Sequence, residues 1–115
     1  MKNFIKVMKA LSDPSRVKII KMLQQRENLC VCEIRAMLNL AQPTVSKHLK
    51  ILEEAGLIVF EKEKLWVNYR LHSTGDSRYS AAMLTQLENW LNETPEITDI
   101  YRLLPDINRN DICKS

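Results

Sequence analysis

Glycine is scarce in this chain, with two in 115 residues, and Gly56 and Gly75 leave little material for a phosphate-cradling loop. No nucleophile–base pair and no paired carboxylates stand out either, so the chain is not read as an enzyme. No apolar run approaches the roughly 20 residues that a membrane helix needs. The N-terminus MKNFIKVMKALSD carries lysines through its apolar pattern, unlike a signal peptide. These absences predict a cytoplasmic protein with no membrane contact, whose three cysteines, Cys30, Cys32 and Cys113, are reduced. An odd count, with one pair two positions apart, also speaks against a disulfide framework.

What is present is an ordinary globular composition, 45% hydrophobic and 27% charged, over a length that suits one domain. The net charge of +3 is unevenly spread. Residues 1–50 hold ten Lys and Arg against Asp13, Glu27 and Glu33, a net of +7, which leaves −4 for the rest. One face is therefore expected to meet an anionic partner.

The apolar period is helical at first. Phe4, Ile5, Met8 and Leu11 form one face of a first helix. A second starts at SDPSRVKIIKML, capped by Ser12 or Asp13 and buried along Val17, Ile19, Ile20 and Leu23. VCEIRAML is a short third helix. After NLAQ comes a fourth, PTVSKHLKILEEAGL, buried at Val45, Leu49 and Leu52 and stopped by Gly56. From there the period changes to two: LIVFEKE and KLWVNYRLHS predict a hairpin turning within Glu61–Lys64. A loop at Gly75 and Asp76 leads to a long helix over about 77–92. A last helix runs from Pro95 to Pro105, and the polar NRNDICKS follows as a loose tail.

The order α-α-α-α-β-β-α-α is that of a mainly α winged helix-turn-helix, one domain over 1–115 with a flexible tail over 105–115. The first helix and the helices over about 77–104 carry surplus apolar surface. Trp90, Leu91, Ile100 and Leu104 with Phe4 and Met8 are expected to pack against a second copy. A homodimer also suits double-stranded DNA, whose successive major grooves lie ~34 Å apart.

Off the buried face of the fourth helix stand Gln42, Thr44, Ser46, Lys47, His48 and Lys50. Short donors and acceptors there suit base edges, and the cations suit phosphates. Lys62 and Lys64 in the wing are candidates for the DNA backbone or minor groove, although Glu61 and Glu63 interleave with them.

The runs LSDPSRVKIIKML, LCVCEI, QPTVSKHLKILEEAGLI and LWVNYRL, within about residues 4–72, together resemble the ArsR/SmtB family of metalloregulatory repressors, and its arsenical-resistance branch most. The resemblance implies a homodimeric winged-helix repressor on a palindromic operator, released when a toxic metal or metalloid binds. It also makes the thiolates of Cys30 and Cys32 the ligands.

Thiolates select soft ions, and a helix N-terminus favours the thiolate. Two positions on a regular helix differ by ~200°, so the two sulfurs share one ion only where the helix start is irregular or becomes so. Family members that sense zinc use Asp and His on the long C-terminal helix, and residues 77–104 hold no histidine. Sensors of cadmium and lead add N-terminal cysteines, and none precedes Cys30. The resemblance thus implies As(III) or Sb(III) on two or three thiolates. The arsenical branch often has a third cysteine where this chain has Arg35, and Cys113 is the candidate replacement. Open beside this reading stand another soft ion (Cd, Pb or Zn), thiol oxidation at the same pair, and a DNA-binding module without effector.

Overall fold

Asp13-Pro14 is a helix start written in two residues. The Asp13 carboxylate accepts from the Ser15 and Arg16 N–H groups at 2.9 and 3.3 Å, and Pro14 needs no N–H partner in the first turn. A computed structural model describes residues 1–72 and 76–112. In it α1 spans Lys2–Ala10, α2 Pro14–Gln25, α3 Val31–Leu38 and α4 Gln42–Glu54. The hairpin is β2 Ile58–Glu63 and β3 Trp66–Leu71, followed by α5 Arg78–Leu87 and α6 Pro95–Leu103. A 3₁₀ turn at Leu104–Asp106 leads into a four-residue α7, Arg109–Ile112. None of the helices is long and apolar enough to cross a membrane, among the described residues.

The core joins Ile19, Ile20, Met22 and Leu23 of α2 to Ile34 of α3, Val45, Leu49 and Leu52 of α4, and Leu84 and Leu87 of α5. Asn39 in the left-handed conformation ends α3 and turns the chain into α4, completing a helix-turn-helix. Gly56 has φ +76°, and a Cβ there would stand 2.1 Å from Cβ of Asp76, so only glycine fits.

Several expectations change. Leu29–Cys30 forms a short strand, β1, antiparallel to β3 with Leu29 opposite Tyr69 and Cys30 opposite Asn68, so the sheet runs β1-β3-β2. Two residues carry no periodicity, which hides such a strand from a pattern search. The hairpin turns at Lys64-Leu65, later than Glu61–Lys64, because Lys64 adopts φ +54°. Leu65 becomes the exposed tip. The first helix buries Val7 and Ala10, while Phe4 and Ile5 face outward. Ile100 and Leu104 are core residues, not surplus surface, and Met8 is half-buried against the core; Phe4, Trp90 and Leu91 remain exposed, and Leu103, outside the expected set, is exposed as well. Gly75 lies outside the described residues.

The helix expected over 77–92 stops at Leu87, and the reason is Lys21. This lysine is fully buried in α2. Its ammonium donates to the carbonyl oxygens of Leu87 and Trp90 and to Oδ1 of Asn92, at 3.0 Å for Trp90 and 2.6 Å for Asn92. Tyr101 donates to the same Asn92 oxygen at 2.9 Å, so the knot reaches α6. A cation satisfies the carbonyls left open at a helix C-terminus, and Leu91 turns away at φ +68°.

A buried carboxylate organises a second cluster. Glu33 in the first turn of α3 is fully buried. Its Oε1 accepts from the Cys30 N–H and from Arg109, each at 3.0 Å, and its Oε2 from Arg26 at 3.0 Å. Arg26 also donates to the Leu104 and Ile107 carbonyls, and Arg109 to that of Asn28 while its guanidinium lies 5.2 Å from the Trp66 ring centroid. The segment around α7 is thereby fastened over the β1–α3 junction.

Lys21→Met keeps the stem and removes the donors, leaving buried acceptors open. It should cost about 2–4 kcal/mol, read by urea unfolding at fixed protein concentration. A loss under about 0.5 kcal/mol would show that the ammonium does not hold the α5 terminus.

Candidate functional site

Two groups of residues need placing: the polar side of α4, and the cysteine pair. Pro43 in the first turn of α4 and the buried Val45, Leu49 and Leu52 orient the helix. Gln42, Thr44, Ser46, Lys47 and Lys50 are left exposed. His48 is half-buried, and its Nδ1 lies 3.1 Å from a nitrogen of Arg16. A guanidinium only donates, so Nδ1 accepts, and any contact with DNA falls to Nε2. Arg16 also donates to the carbonyls of Ala10 and Lys9, at 2.7 and 3.2 Å. It thus ties the end of α1 to the middle of α4, a role the sequence reading missed; an arginine in the first turn of α2 was the available signal. Lys62 and Lys64 are exposed in the wing. The surface can present donors and cations to a duplex groove, with the wing as a second basic contact.

The cysteine pair straddles a junction. Cys30 ends β1 and is the N-cap of α3, with φ −89° and ψ 168°; Cys32 is in the first turn. The constraint of a regular helix therefore does not apply, because Cys30 already lies outside it. Its sulfur accepts from the Glu33 N–H while the Glu33 carboxylate accepts from the Cys30 N–H, a capping box with a thiol in the usual place of serine. Burial pushes the Cys30 thiol above its ordinary range. The Glu33 carboxylate adds to that shift, while the Glu33 N–H and Arg109 oppose it.

Cys32 is disulfide-bonded in the structure, which differs from the expectation of three reduced thiols. Cys113 lies outside the described residues. Among the described residues no group of three or more His, Cys, Asp or Glu is placed to hold a metal ion. A soft ion here would have the sulfurs of Cys30 and, once its bond is opened, Cys32; the set fits a thiophilic ion and lacks the oxygens and imidazoles of a hard-ion site.

Residues 13–59 match the family described as bacterial regulatory protein, arsR family, a span that holds both the cysteine pair and α4. The arsenical resistance operon repressor of Escherichia coli strain K12 is 35% identical over 100 residues, 87% of this chain and 83% of that protein. Among solved structures, HlyU from Vibrio cholerae N16961 superposes with TM-score 0.65 at 31% identity, over 78% of this chain and 92% of that one. The homodimeric winged helix-turn-helix DNA-binding domain of Mb0332 from Mycobacterium bovis shares the fold, with TM-score 0.63 at 22% identity over 89% of this chain and 83% of that one. The chain belongs to the arsR family of bacterial regulatory proteins, and its fold is the winged helix-turn-helix.

Proposed function

We propose that this protein is a cytoplasmic transcriptional repressor that leaves its operator when As(III) or Sb(III) binds the thiolates of Cys30 and Cys32. The observation that carries the reading is the place of the pair: the N-cap and first turn of the helix that packs against α4. Two copies, joined through the exposed Phe4, Trp90, Leu91 and Leu103, present two α4 helices to grooves ~34 Å apart. Gln42, Thr44, Ser46 and Nε2 of His48 read base edges; Lys47, Lys50, Lys62 and Lys64 meet phosphate. The E. coli relative is named a repressor of an arsenical resistance operon, and the M. bovis domain is described as homodimeric; both support this reading.

Release follows from linkage. An ion that draws both sulfurs together favours one arrangement of the β1–α3 junction, and α3 carries the change to α4. Shifting operator occupancy from 99:1 to 1:99 needs an effector that binds the released state ~10⁴-fold more tightly. Two sulfur–arsenic bonds suit that demand. Cys113 is a candidate third ligand from the tail.

A second reading is favoured by one observation, the disulfide at Cys32: oxidation of the thiols, rather than an ion, moves the junction.

Operator-fragment titrations of reduced protein separate the two. Arsenite should release the wild type and the Cys113→Ser variant, and should fail with Cys30→Ser and Cys32→Ser; cadmium and zinc serve as comparison ions. Release by arsenite in both pair variants would contradict the proposal. Loss in Cys113→Ser would make the tail a ligand. Release by peroxide, reversed by a phosphine and absent with arsenite, would establish the oxidation reading. Separately, Lys47→Ala should weaken binding to all sequences alike and lower the salt slope by about 1. A change confined to one base position would instead place Lys47 on a base edge.

A further inference from the structure

The strand position opposite Cys30 holds an asparagine, which is unusual inside a strand. Asn68 is 7% exposed, and its Oδ1 is buried with no hydrogen-bond partner among the described residues. In an antiparallel pair, residues directly opposite project from the same face of the sheet, with Cβ atoms about 4.5–5.5 Å apart. The pairing of Cys30 with Asn68 therefore sets a buried amide, its carbonyl oxygen open, beside the thiol. Buried polar atoms are nearly always satisfied, so this carbonyl oxygen is open to a donor from a bound group. Trp66 shares this face of β3 two positions away, under the Arg109 guanidinium.

We propose that Asn68 is the positioning residue that recognises the oxygen left on arsenic after the two thiols have bound. The inference rests on Cys30 and Cys32 being the effector thiols. Arsenous acid, As(OH)₃, reacts with two thiols to form two S–As bonds. Two As–O bonds break, each thiol proton leaves with a hydroxyl as water, and arsenic stays trivalent. One As–OH group remains. Its hydrogen is donated to Oδ1 of Asn68, which gives the carbonyl its missing partner.

The inference predicts a preference that a sulfur pair by itself does not give. Methylarsonous acid, CH₃As(OH)₂, binds the same two thiols and leaves a methyl group where arsenite leaves a hydroxyl. Protein kept reduced with a phosphine is titrated with each arsenical on the operator fragment, as wild type, Asn68→Leu and Asn68→Val. Wild type should need less arsenite than methylarsonous acid for half-release. Both variants should need roughly ten-fold more arsenite, the worth of one buried hydrogen bond, with the methylarsonous acid midpoint moved by less than about two-fold. Operator affinity without effector reports that the variants are folded. Equal shifts for both arsenicals, no shift for either, or a wild-type preference for the methyl compound would overturn the role of Asn68. A third sulfur in place of the hydroxyl would give no shift for either. Failure of both arsenicals to release the wild type would instead remove the effector reading itself.

Discussion

The buried carboxylate of Glu33 is the interaction on which the cysteine box depends. An ionised group taken out of water is costly unless its partners are complete. Here they are two arginines and the Cys30 N–H. Each partner ties down a different part. The N–H fixes the backbone of Cys30 at the exit of β1. Arg26 draws in the carbonyls of Leu104 and Ile107, and Arg109 brings α7 across to Trp66. Moving the first turn of α3 therefore disturbs the sheet, the C-terminal segment and α4 together. A box built this way can transmit a small local change, because the parts around it are coupled by charge rather than resting on separate contacts.

Lys21 plays the matching part at the other end of the core. Its ammonium closes the carbonyl end of α5 and, through Asn92, reaches Tyr101 of α6. The exposed Trp90 and Leu91 lie on the turn that this knot shapes. The two buried ions thus hold two separate parts of the molecule: Glu33 the proposed sensing junction, Lys21 the proposed dimer surface.

Much of the fold was legible in the sequence because periodicity and caps are local. Asp13-Pro14, Pro43 with Val45, Leu49 and Leu52, and Gly56 all behave as their residue types require. What was hidden is non-local. Leu29–Cys30 is a strand only because β3 lies beside it, and Lys21 and Glu33 read as surface charges until partners 7 to 76 residues away surround them. The cysteine pair was legible as a spacing, but its geometry was not, since a strand-to-helix junction places Cys30 outside the helix that the spacing suggested. Asn68 gave no sequence signal beyond being a polar residue in a strand. Its meaning comes from register.

The central claim is that trivalent arsenic is held by Cys30 and Cys32 at the start of α3. X-ray absorption at the arsenic edge of the reduced, arsenite-loaded protein tests it most directly. The account predicts a shell of two sulfurs and one oxygen, with the sulfur shell lost in Cys30→Ser. An all-oxygen shell in the wild type, or a sulfur shell unchanged in that variant, would contradict it.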